Sequence, residues 1–237
     1  MSAFTSHDLA INFLQIACEK SSLLDIQFQS RGSLESLKLL NLGQADIIGF
    51  HFPEGPLATH LASTYSQWLN DDKHFLIHLA TREQGLIFKP ALSEHINSIK
   101  SLTRRSIKFV NRQKGSGTRA VFDELIKLNK INKKDINGYE KEEFTHTAVA
   151  AMVASDHANV GFGLKAAALQ FKLSFIPLIN ESYVIALNKS LPKKIKQNIQ
   201  ALLKDTKLRN KIRKLPGYNT KLTGKAIHAE KLLFQNK

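Results

Sequence analysis

The sequence predicts an α/β protein built mainly on parallel sheets. Two observations carry this. Apolar runs of strand length alternate along the 237 residues with stretches whose apolar residues recur at helical spacing. No Pro/Gly/Ser linker, internal repeat or low-complexity tract interrupts the alternation. Two lobes would therefore have to be joined by extended chain, and the candidate crossovers are Thr81–Leu86 and Pro177–Ser182.

The elements follow in order. Residues Asp8–Lys20 read as a helix, with Leu9, Phe13, Ile16 and Ala17 forming its stripe. Almost nothing precedes it. Leu24, Ile26 and Phe28 alternate with Asp25, Gln27 and Gln29, the pattern of a strand with one wet face. Ser30-Arg31-Gly32-Ser33 then turns into a helix carrying Leu34, Leu37 and Leu40, which Gly43 stops. ADIIGFHF is a buried strand, and FLIHLATREQGLIF is extended. IKFVN is a short strand before a Gly-rich turn and a helix carrying Val121, Phe122, Leu125 and Leu128. A second helix follows Thr145. ANVGFG, LSFIPL and SYVIAL read as three further strands, and the tail is helical.

Composition narrows the class. Hydrophobic residues make up 43% and charged residues 23%, which excludes a disordered chain, collagen and a disulfide scaffold. No apolar run approaches the ~18 residues of a membrane span. The start lacks a secretory pattern. The single Cys18 excludes an intrachain disulfide and points to a reducing cytoplasm. The formal charge is +14, and Lys189–Lys237 holds 14 Lys/Arg against Asp205 and Glu230. That tail reads either as solvated helix faces or as a nucleic-acid or acidic-surface contact. It has no aromatics interleaved for base stacking.

Four turns share one design, a small hydroxyl or glycine cluster before a helix: Thr5-Ser6-His7-Asp8, Ser30–Ser33, Asn111–Arg119 and Phe144–Thr147. A helix start offers unpaired N–H groups and a positive dipole end. Each turn reads equally as a plain N-cap, which needs no ligand; together they suggest a shared anion site. Gly115-x-Gly117-x-x-Ala120 matches a dinucleotide fingerprint only loosely, being off the first strand and without the following acid. There is no Gly-Lys-Ser/Thr ending and no Gly-x-Ser-x-Gly. Nine histidines show no metal spacing; His74 and His78 fall in a strand. Glu142-Glu143 and Asp71-Asp72 sit in polar turns.

FVNRQKGSGTRAVFDELI, GYEKEEFTHTAVAAMVASDHANVGFGLKAAA and FIPLINESYVIAL resemble, with SHDLAINFL, QSRGSLESLKLLNLGQADIIGFHF and LPGYNTKLTGK, the periplasmic-binding-protein-like domain of molybdate-responsive proteins. The resemblance covers essentially the whole chain. It implies a type II fold, two α/β lobes (1–82 with 181–237, and 83–180) hinged by two crossover strands around a ligand cleft. It implies a non-catalytic domain binding an oxyanion, molybdate or tungstate, with no cofactor, no protein-ligated metal and no membrane contact. A DNA-binding or molybdopterin-synthesis domain is a frequent fusion partner; the chain then acts alone, as a homodimer, or as part of a longer cytoplasmic regulator. The start looks clipped where the family has its first strand.

By position, the resemblance assigns ligand contacts to Ser6, His7, Asp8, Gly32, Ser33, Asn111, Gly115, Ser116, Gly117, Thr118, Thr145 and His146, with Arg31, Arg112 and Arg119 as charge partners. Asp8 would repel a dianion unless an arginine pairs with it. Three arginines exceed what a neutral molybdate site needs. An organic anion, such as a pterin or a carboxylate, stays open as ligand or as substrate, with His7, Asp8 and His146 as acid and base.

Overall fold

A computed structural model describes residues 1–21, 24 and 26–234. The chain runs β1 (Ser2–Thr5), α1 (Leu9–Glu19), β2 (Gln27–Ser30), α2 (Ser33–Asn41), β3 (Ile47–Pro53), α3 (Pro56–Ser66) and β4 (His74–Phe88). It continues through β5 (Phe109–Arg112), α4 (Gly117–Leu128), β6 (Glu142–Glu143), α5 (His146–Ala154), β7 (Val160–Leu164), α6 (Lys165–Gln170) and β8 (Ser174–Asn188). It closes with α7 (Lys193–Lys204), α8 (Thr206–Arg213), β9 (Tyr218–Asn219), β10 (Ala226–Ile227) and α9 (Ala229–Leu233). Two compact units result: Met1–Arg82 with Glu181–Lys237, and Glu83–Asn180. The chain leaves the first within β4 and returns within β8. Among the described residues no helix is long and apolar enough to cross a membrane.

In the first unit, β1 pairs in parallel with β2 and β3, and β8 lies antiparallel along β3 from Ile47↔Leu187 to Pro53↔Glu181. All seven residues of β3 are buried, the mark of a strand covered on both faces. α1 buries Ala10, Ile11, Leu14 and Cys18. Burial above all, with Glu19 nearby, pushes the Cys18 thiol up to about 11, so it stays protonated. α2 buries Leu37 and Leu40, each worth about 2 kcal/mol of transfer energy. α2 ends as Gly43 takes a φ of 70° and its amide reaches the Leu40 carbonyl.

In the second unit, β5 pairs in parallel with β6 and β7, and the second half of β4 runs antiparallel to β7. α4 drives Phe122 between Phe109 and Phe162, with ring centroids 4.7 and 5.3 Å away.

The sequence-based elements differ from the structure at four places. A strand, β1, does precede α1, so the start is not clipped of its first strand. Leu24 and Ile26 are buried but lie ahead of β2, and Asp25 is outside the described residues. LSFIPL and SYVIAL form one strand, β8, since Pro177 sits exposed where its missing N–H costs nothing. α3 and α6 were not anticipated. In the basic tail, α7 and α8 bury Ile199, Leu203, Leu208 and Ile212 and turn Lys193, Lys194, Lys204, Lys207 and Lys211 outward.

Candidate functional site

In the first unit the parallel register aligns Thr5 with Ser30 and with Gly49, so the turns into α1 and α2 open on one sheet edge. The backbone ties them there: Ser6 N–H donates to the Gly49 carbonyl at 2.8 Å and Arg31 N–H to the Thr5 carbonyl at 2.9 Å. Gly49 has no room for a side chain, because a Cβ would stand 2.8 Å from both Thr5 Cγ2 and the Tyr183 hydroxyl. Tyr183 donates to the Ser6 carbonyl at 2.7 Å, and Ser6 Oγ donates to Tyr183 Oη at 3.2 Å.

The two helix starts differ. α1 is closed by its own Asp8, whose Oδ1 accepts the Ala10 N–H at 2.6 Å. α2 begins at Gly32 with no side-chain cap. At its first and fourth positions Ser33 and Ser36 are 0% exposed, and neither hydroxyl has a hydrogen-bond partner. Buried polar atoms are nearly always paired, so these two hydroxyls beside an open helix start mark a place that another polar group can complete.

Behind the α1 turn lies a buried charge network that sequence reasoning missed. The pair expected for Asp8 forms, but with Arg82 of β4, not with Arg31, Arg112 or Arg119. Tyr218 donates to the same Asp8 Oδ2 at 2.8 Å. Arg82 also donates through Nε and Nη2 to Glu181 Oε2 at 3.2 and 3.1 Å, and Glu181 Oε1 is 2.9 Å from His51 Nδ1. The Arg82 guanidinium lies 5.2 Å from the Tyr183 ring centroid. Asp8, Arg82 and Glu181 side chains have no exposed surface. Burial alone would raise the Glu181 carboxyl, but His51 and Arg82 outweigh it and hold it below the usual value. Burial would likewise lower Arg82, and Asp8 and Glu181 more than restore its charge. The available signal was an arginine in the polar stretch Thr81–Gln84 between the apolar ends of one long strand.

A second buried cluster in this unit centres on His78, whose Nε2 is 3.3 Å from both Thr81 Oγ1 and Ser182 Oγ. Ser182 and Thr81 donate to Glu54. Burial pushes the His78 imidazole down to about 4, so it is neutral.

In the second unit the register Arg112↔Glu143 puts the turns into α4 and α5 on one sheet edge. Both helices close their own starts: Ser116 Oγ accepts the Arg119 N–H at 3.1 Å, and Thr145 Oγ1 the Ala148 N–H at 2.9 Å. Their first amides, at Gly117, Thr118 and Thr147, are left facing the same edge. Gly115 turns the chain at a φ of 83° with open space around it. Thr118 Oγ1 accepts from Gln84 at 3.3 Å, and His146 is buried against Gly163. Asn111 is structural: its Nδ2 donates to the Tyr139 carbonyl and its Oδ1 accepts the Arg112 N–H. His7 is half-buried.

The three arginines expected to carry the ligand's charge are engaged elsewhere. Arg112 is buried and donates to the carbonyls of Glu143 and Phe144 at 3.1 and 2.9 Å, fastening the turn into α5. Arg119 joins Asp123 at 2.9 Å and Glu142 at 2.8 Å and lies 4.3 Å from the Tyr139 ring centroid. Arg31 is exposed and 3.5 Å from Glu35.

A sequence profile described as a PBP superfamily domain matches residues 17–205. The chain belongs to the PBP superfamily. An uncharacterized protein, YvgK of Bacillus subtilis (strain 168), is 32% identical over 225 residues, 94% of this chain and 70% of YvgK. Among solved structures, an ABC-type phosphate transport receptor from Vibrio cholerae aligns over 92% of this chain and 99% of its own at 16% identity, with a TM-score of 0.62. The substrate-binding domain of a proposed molybdenum ABC transporter from Clostridium difficile aligns over 92% and 97% at 17% identity, with a TM-score of 0.55. At those identities the likeness is one of fold. This PBP-superfamily domain has the type II architecture of substrate-binding proteins, with helix starts gathered at the carboxyl edge of the parallel strands in each unit.

Proposed function

We propose that this chain is a non-catalytic binding domain for a small tetrahedral dianion of the molybdate and tungstate class, and that it serves as the sensing part of a cytoplasmic transcriptional regulator. The observation that carries the ligand reading is the open start of α2, with the Ser33 hydroxyl fully buried beside it and unpartnered. Such a helix start recognises anions through N–H donors and dipole, without a cation. The pairing of Arg119 with Asp123 and Glu142 supports the same reading, since it offsets part of the positive charge that sat awkwardly with a neutral oxyanion site.

The absence of a free carboxylate in the turns into α1 and α2 favours molybdate over phosphate. Near neutrality molybdate, tungstate and sulfate carry no proton, whereas phosphate retains one and gains from a carboxylate that accepts it. Asp8 is the single carboxylate in these turns. Its oxygens are taken by Ala10 N–H, Arg82 and Tyr218. The same engagement argues against Asp8 as a catalytic base. The regulator role rests on the resemblance of the six sequence blocks to molybdate-responsive proteins.

Isothermal titration of the folded chain with molybdate, tungstate, sulfate and phosphate tests the ligand class. Saturable binding of the first two is expected, with phosphate weakest. No binding of any of the four by folded protein would end the oxyanion reading. Ser33→Ala is expected to weaken molybdate binding by about tenfold, the value of one hydrogen bond to a charged group.

A further inference from the structure

The second unit has a basic hollow at the sheet edge opposite the helix-start turns. The segments that enter β5 and β6 lie at the amino ends of those parallel strands, as the turns into α4 and α5 lie at the carboxyl ends. A cavity of about 870 Å³ opens there, lined by Lys100, Arg105, Lys130 and Lys134 against the single carboxylate of Asp135. The four cations come from two separate stretches of chain, 100–105 and 129–137, and each is exposed. Among the described residues none of the four is within ion-pair distance of a carboxylate. Elsewhere on this unit Lys89, Lys114, Lys127 and Lys165 have such a partner, and Lys108, Lys133, Lys141 and Lys172 do not but are not part of the hollow's lining.

The neutral polar groups of the hollow are turned into the protein. Thr103 Oγ1 donates to the Lys100 carbonyl at 3.0 Å, Asn129 Nδ2 to the Leu125 carbonyl at 2.8 Å, and Asn137 Nδ2 to the Arg105 carbonyl at 3.3 Å. Asn129 Nδ2, with the N–H groups of Lys130 and Ile131, occupies the Leu125, Lys127 and Ile126 carbonyls at the end of α4. The hollow thus presents three ammonium groups and one guanidinium, with the Asp135 carboxylate as the one opposing charge among its lining residues.

We propose that this hollow binds a compact polyphosphate chain, that of an inorganic tripolyphosphate or of a nucleoside triphosphate. The volume suits a small molecule. No aromatic side chain lines the cavity to stack a base, so recognition is of the phosphates alone. The concave setting, with charges gathered from two segments, matches a compact polyanion better than a duplex, whose phosphates run in extended rows. α4 spans from the turn at Ser116 to this hollow at Asn129, about 18 Å for its twelve residues. The hollow is therefore separate from the helix-start turns of its own unit.

The test is titration of the whole chain at low salt with inorganic tripolyphosphate, with ATP, and with a short DNA duplex. One saturating site for tripolyphosphate and ATP alike is expected, falling steeply with salt. The exposed double reversal Lys130→Glu/Lys134→Glu should weaken it by about tenfold or more with the circular dichroism spectrum unchanged. Lys193→Glu/Lys194→Glu, on the basic tail, should leave it intact, and molybdate titration should be the same in both variants. The proposal is overturned if tripolyphosphate does not saturate, if the tail reversal rather than the hollow reversal abolishes binding, or if the duplex binds more tightly and through Lys130 and Lys134.

Discussion

The two units solve the same problem, how to hold helix starts at a sheet edge, with opposite treatments of charge. The first buries its ions completely: Asp8, Arg82 and Glu181 have no exposed side-chain surface. The second leaves the partners of Arg119 wet, with Asp123 43% and Glu142 26% exposed. A buried network fixes geometry but tolerates no missing member, whereas half-exposed partners can turn to water when an ion is lost. Of the four turns with hydroxyl or glycine clusters, the first unit leaves the one into α2 without a side-chain cap, while the second caps both of its own. The first unit therefore sets its buried ion network beside the uncapped start of α2.

The largest difference should appear on removing an arginine from each unit. Arg82→Met strands two buried carboxylates and should lower unfolding stability by about 3–5 kcal/mol in urea titration. Arg119→Met should cost about 1 kcal/mol. Equal losses would erase the contrast.

Acid should act next, again through the first unit. His78 is neutral in the fold with its pKa depressed to about 4, against 6.5 when unfolded. Above pH 6.5 both states are unprotonated and nothing changes. As pH falls from 6.5 to 4 the unfolded chain takes up a proton that the folded chain refuses, and stability drops by roughly 3 kcal/mol at most. His78→Gln should flatten that part of the stability–pH curve. Glu181 adds a further loss below the usual carboxylate range, since its folded pKa is depressed.

The smallest contrast compares two serines. Ser116→Ala removes a cap and should cost about 1 kcal/mol. Ser33→Ala deletes a buried hydroxyl that pairs with nothing and should be neutral or slightly stabilising, though it weakens ligand binding. A cost at Ser33 equal to that at Ser116 would mean its hydroxyl is a structural group after all.

Local signals and long-range ones were unequally legible in the sequence. The alternation of elements, the helix stripe at Leu37 and Leu40, and the turn at Gly43 are written within a few residues and could be read directly. β1 could not, because four residues show no period and their pairing is with β2 and β3. The joining of β8 was hidden by Pro177, a breaker everywhere except where its N-side faces solvent. At the candidate site, the open start of α2 follows from Gly32-Ser33 as it stands. The engagement of Arg112 and Arg119 does not, and Arg82 meets partners 74 and 99 positions away. Charge pairing over such separations leaves no trace in local pattern.

Residue 49 shows how little material can hold this arrangement in place. Its missing side chain lets the Tyr183 ring come close, and that ring rests against Arg82 while its hydroxyl grips the Ser6 peptide. A single methyl there would act as a wedge, prising the phenol off its seat and loosening the α1 turn and the arginine together. The setting of the α1 turn and of a buried arginine in β4 thus hangs on one hydrogen atom.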